Sequence, residues 1–127
     1  MAELKKEQVA AEQMQVSGVL TMSELIHLMM KRKNINAKEM ANRLGVSSPS
    51  VSHLINKIQN AWIETVRRYF SCMGEDFTVV TKTGEEYRIP DTVTTMSQLR
   101  KKIKQVFVKL ENGDVYEIVH SSSVADN

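Results

Sequence analysis

Side chains that can make directional polar contacts gather in one short stretch. Ser47, Ser48, Ser50, Ser52, His53, Asn56 and Lys57 surround Pro49, and Arg43 precedes them. Hydroxyls and amides can bond to base edges or to phosphate oxygens, and an imidazole can donate to the acceptors of guanine. Lys57 and Arg43 carry the positive charge a phosphate backbone attracts. This is the chemistry of binding. Bond-breaking chemistry has no comparable cluster. No serine or cysteine nucleophile stands beside a plausible base. His27, His53, His120 and Cys72 lack the spacing of zinc ligands. No glycine-rich phosphate loop occurs. Glu85, Glu86, Glu111 and Asp114 fall at expected hairpin turns, where carboxylates are solvated. The chain is therefore expected to be no enzyme and to use no metal or cofactor.

Two short helices over a glycine corner would hold that stretch in place. Asn36 can cap the first, since its side-chain oxygen can accept a free amide of the first turn. Met40, Ala41 and Leu44 recur at helical spacing. Gly45 follows where a left-handed residue ends a helix at low cost. Val46 is expected to fill the gap between the helices. Ser47 caps the next helix, and Pro49 falls in its first turn, where a missing N–H does no harm. Val51, Leu54, Ile55 and Ile58 give that helix its expected buried face.

This arrangement resembles the helix-turn-helix of the Cro/repressor (Xre-like) family of bacterial and phage DNA-binding proteins. The matching residues are Glu39, Met40, Ala41, Leu44, Gly45, Val46, Ser47, Val51, Ser52 and Leu54. The resemblance covers about residues 22–74 and implies a recognition helix starting at Ser48. In such a motif the first turns of that helix enter the major groove. The resemblance puts Ser48, Pro49 and His53 toward bases, and Ser47 and Asn56 toward phosphate. Ser50, Ser52 and Lys57 are also expected on the exposed side.

Departures from the family pattern carry information. Met30 and Ile55 occupy positions where many relatives pair an arginine with a glutamate. Replacing both partners of a buried ion pair by apolar residues is often neutral, whereas losing one is costly. The double change implies that the two helices touch. Serine and proline reach fewer base edges than the glutamine or arginine common in relatives, and Ala37 lacks a phosphate-fixing amide. Modest affinity per half-site follows, with reliance on dimerisation, on DNA shape, or on added cations at Arg100, Lys101, Lys102 and Lys104.

Length and composition agree with these limits. The 127 residues suit one domain or a small domain with an appendage. An apolar share of 42% allows a packed core. A net charge of +2 permits nucleic-acid binding without requiring it. The single cysteine, Cys72, excludes an internal disulfide and fits a reducing cytoplasm; it is expected as a small buried filler. No secretory signal or membrane-spanning run is read.

The remaining chain follows in order. Residues 1–18 are expected to form a mobile or helical arm. Residues 22–33 form the first helix, capped by Thr21 or Ser23 and left through Asn34. Asn60 can cap a helix over 61–73, with Trp62, Ile63, Val66, Tyr69, Phe70 and Met73 on its apolar face and Gly74 at its end. Alternation then replaces the helical period. Segments 77–81 and 86–89 predict one β-hairpin, and 106–110 and 115–119 a second, around Asn112-Gly113. Aligning Gly84 with Gly113 brings Tyr87 onto Tyr116, Ile89 onto Ile118 and Val79 onto Val108. A short basic helix fits 96–104.

The fold expected is α+β: a four-to-five-helix domain over 19–74, two hairpins forming a small antiparallel sheet over 75–120, and a flexible tail over 121–127. The sheet is expected to serve dimerisation. The function expected is a cytoplasmic, sequence-specific regulator of transcription, a repressor acting as a homodimer on double-stranded DNA. One alternative is an antitoxin that also clamps a toxin. Another is a protein-interaction module that has lost DNA readout.

Overall fold

The computed structural model describes residues 14–120, so most of the expected arm and the whole expected tail lie outside the described residues. The described end of the arm is not a loose lead-in. Ser17 donates its amide to the Val115 carbonyl at 2.6 Å, and strand β1 follows at Gly18–Thr21. Thr21 ends the strand and caps helix α1, Met22–Arg32. Its hydroxyl accepts from the Glu24 amide at 3.1 Å, and the Glu24 carboxylate accepts from the Thr21 amide at 2.8 Å. This reciprocal cap lets a strand pass straight into a helix with no loop. Met22, Leu25, Ile26, Met29 and Met30 are the buried face of α1. Asn34, at φ 56°, takes the expected left-handed exit.

Helix α2, Ala37–Leu44, is capped by Asn36, whose side chain accepts from the Glu39 amide at 2.8 Å. Gly45 lies at φ 73° and reverses the chain. A Cβ placed there would meet nothing within 4 Å. Its requirement for glycine is therefore one of backbone conformation alone. Gly45→Ala should lower stability by about 1–2 kcal/mol, read as a shifted urea midpoint at unchanged m-value. A loss well above that range would mean a steric conflict at the corner.

Helix α3, Ser48–Asn56, starts from Ser47, whose hydroxyl accepts from the Ser50 amide at 3.3 Å. Val51 and Ile55 are its buried residues, and Ile58 is buried in the 3-10 turn Ile58–Asn60 that follows. Met30 and Ile55 share one core cluster, as the paired substitution implied. Two expectations fail here. Val46 is 40% exposed and fills no gap, and Leu54 is 38% exposed rather than buried. Leu54 lies at the edge of the apolar stripe, and Val51, Ile55 and Ile58 suffice to seat the helix.

Helix α4 is Ile63–Cys72, and Asn60 does not cap it. The Asn60 side chain instead accepts from the Ser97 hydroxyl at 2.7 Å. Extended backbone at Trp62 bridges Thr95, with Ile63 donating to Thr94 at 2.9 Å and Met96 to Ala61 at 3.0 Å. That bridge delays the helix and leaves the Trp62 indole outside the core, 60% exposed. Val66, Tyr69, Phe70 and Met73 do enter the core.

Strand β2, Phe77–Val80, begins the expected first hairpin, but the return arm is not a strand. A single bridge between Val80 and Glu86 holds it, made by the Tyr87 amide donating to the Val79 carbonyl and the Thr81 amide to the Glu85 carbonyl, each at 2.7 Å. Tyr87 and Ile89 then pack against the helical core, and Pro90, with no N–H to donate, cannot extend a ladder. Helix α5, Met96–Lys102, carries a second reciprocal cap between Thr95 and Gln98. Strands β3, Val106–Leu110, and β4, Val115–Val119, form the second hairpin as expected.

The sheet has four strands in the order β1-β4-β3-β2, with β1 parallel to β4 and the other pairs antiparallel. The hairpins therefore meet within one chain, and the fourth strand is β1 rather than the return arm of the first hairpin. Val79 faces Val108 and Val108 faces Tyr116 across the sheet. The face built from Val106, Val108, Leu110, Tyr116 and Ile118 joins the helices in a single core cluster. Hence the expected boundary after Gly74 does not separate two cores, and the face expected to take a partner is occupied by the chain's own helices. On the opposite face Val80, Phe107 and Val115 make a second buried cluster, with Met14 packed on it.

Candidate nucleic-acid interface

Pro49, Ser52, His53, Asn56 and Lys57 are all exposed. The first four repeat at intervals of three, one and three residues, so they form one side of α3. Val51 and Ile55, on the other side, are 0% and 1% exposed. The helix is thus anchored from beneath while its polar stripe faces outward. Ser48 and Ser50 are half-buried at the helix start. The Ser50 hydroxyl lies 2.7 Å from that of Ser47, so this pair belongs partly to the cap. Lys57 is the C-cap of α3. No Asp or Glu occurs between Glu39 and Glu64, so α3 and its turns bring no carboxylate to their own surface.

Arg43 is placed differently from the rest. Its guanidinium bonds the Glu39 carboxylate at 3.1 Å and the Cys72 carbonyl at 2.9 Å. It therefore fastens α2 to the end of α4, a carbonyl-rich site that favours a cation. Cys72 is half-buried and its thiol points at the Arg43 carbonyl, 3.8 Å away, so it is only partly the buried filler expected. Arg68, on α4, donates to the Leu44 carbonyl at 3.1 Å and closes the end of α2.

Sequence reasoning missed two exposed apolar residues at and beside α3. Leu54 follows His53 on α3, and Val46 precedes the Ser47 cap; both are exposed. Neither had a signal of its own, because both fit an apolar stripe equally well.

A second basic element lies against the end of this helix. The Ser97 hydroxyl, on α5, shares its one proton between the Gln59 carbonyl at 2.9 Å and the Asn60 side-chain oxygen at 2.7 Å. Lys101, Lys102 and Lys104 are exposed, and none takes part in a salt bridge among the described residues.

Among the described residues no three His, Cys, Asp or Glu side chains come together to hold a metal, and no helix is long and apolar enough to cross a membrane. Comparison with known proteins gave no match to a protein-family model, a curated protein or a solved structure.

Proposed function

We propose that this chain is a sequence-specific DNA-binding regulator of transcription, a repressor of the Cro/repressor type working as a homodimer in the cytoplasm. The observation that carries this reading is the exposed Pro49, Ser52, His53 and Asn56 side of α3, opposite a fully anchored apolar side. A short helix so mounted, with no carboxylate between Glu39 and Glu64, suits insertion into a major groove. Paired half-sites about 34 Å apart would be read by two such helices. The inner face of the sheet is taken up within the chain, so the dimer uses another surface.

Gel shift or polarisation against the DNA upstream of the chain's own reading frame tests this. Binding should be sequence-dependent and weaken with salt. His53→Ala should relax preference at one base position by about 1–3 kcal/mol. Lys57→Ala should weaken all sequences alike and make the salt slope shallower by about 0.9. Indifference to sequence and salt at low micromolar protein would sink the reading.

One observation favours a second reading, a protein-interaction module without DNA readout: Val46 and Leu54 leave apolar area exposed at and beside α3. It predicts oligomers in light scattering and no retention on duplex DNA.

A further inference from the structure

We propose that α5 is a second DNA-contacting element, laying Lys101, Lys102 and Lys104 on phosphates that flank the α3 footprint. This rests on the DNA reading of α3 given above and names a further part of the same interface.

The first observation is attachment. Ser97 bonds the Gln59 carbonyl at 2.9 Å and Asn60 at 2.7 Å, in the turn that directly follows α3. Met96 donates to the Ala61 carbonyl at 3.0 Å, so backbone and side chain both fix the junction. Gln59 also reaches the His120 carbonyl, and Arg100 reaches the Ile118 carbonyl, tying the end of β4 into the same corner. The position of α5 relative to α3 is therefore set by several bonds.

Orientation is the second observation. Met96 and Leu99 are 1% and 0% exposed, which fixes the buried side of α5. Arg100 and Lys101 come three and four residues after Ser97, so they share the side that meets the turn after α3. Lys102 and Lys104 extend the charge beyond it, both exposed.

Charge is the third. Residues 92–110 contain five Lys and Arg and no Asp or Glu. Four cations elsewhere are matched, Arg32 with Asp114, Lys33 with Glu75, Arg43 with Glu39 and Arg67 with Asp76, whereas Lys101, Lys102 and Lys104 pair with no acid among the described residues. This run with no acids is bolted to the end of α3, and residues 40–63 carry none either, so the two stretches adjoin without a carboxylate from their own sequence. It also supplies what the serine-rich stripe lacks, since phosphate contacts position a protein whose base contacts are few.

The test compares the wild type with K101Q/K102Q/K104Q, which leaves the bonded Arg100 in place. Salt titrations use a random-sequence duplex of roughly 30 base pairs, about three helical turns, and the best site selected from a random pool. The variant should melt like the wild type. Its plot of log affinity against log salt should be shallower by about 2 to 3. Affinity near 0.1 M salt should fall at least about tenfold on both duplexes, leaving the ratio between them unchanged. Trimming the selected duplex to the α3 site should erase the difference between the two proteins. Unchanged slope and affinity in the variant would overturn the proposal while leaving the α3 reading intact. Failure of the wild type to bind either duplex would remove both.

Discussion

Phe70→Ala should cost about 3–5 kcal/mol, the range for deleting a buried aromatic ring. Phe70 is 0% exposed on α4, and its ring centre lies 4.8 Å from that of Phe77 on β2. The two rings are tilted by 53°, a favourable aromatic arrangement that joins the last helix of the bundle to the sheet. Domains of this size are stable by only about 5–15 kcal/mol, so the loss is a large fraction of the total. Because helices and sheet share one core cluster, both should disappear in one urea transition. Circular dichroism of the helices and NMR signals of β3 and β4 amides should give the same midpoint. Two midpoints would mean that the sheet stands apart from the bundle.

Ser52→Glu should cost DNA affinity about 2–4 kcal/mol, roughly 30-fold to 1000-fold, because it sets a carboxylate among phosphates. Ser52 is exposed on the polar side of α3. The substitution touches no core residue, so stability should change by less than about 0.5 kcal/mol. Gel shift and thermal melting on the same preparation separate the two effects. Wild-type binding by this variant would show that this side of α3 does not meet DNA.

The helical half was legible because its signals are local. Asn36, Gly45, Ser47 and Asn34 each do at their own position what their chemistry suggests. The Asn112-Gly113 turn and the short basic helix α5 belong to the same class. What was not legible depends on partners distant in sequence. Gly18–Thr21 is a short run beside a polar arm, and only β4 makes it a strand. The segment after Gly84 alternates like a strand, yet Ile89 is drawn to the helices instead. Asn60 looks like a cap until Ser97 claims it. Arg43 looks like a free cation until the Cys72 carbonyl, 29 residues on, accepts from it. Within the candidate site, the exposure of Pro49, Ser52, His53, Asn56 and Lys57 was readable from the helical period, whereas the pairing of Ser50 with Ser47 and of Arg43 with Cys72 was not.

The joint at Thr21 has a mechanical consequence. Helix α1 grows out of a strand lying along β4, and at its far end Arg32 grips the Tyr116 hydroxyl of that same β4 at 2.8 Å. Held like a rung between two uprights, α1 cannot tilt alone. Any pull that peels the leading strand away must release the helix cap in the same motion, so β1 and α1 should leave the sheet together.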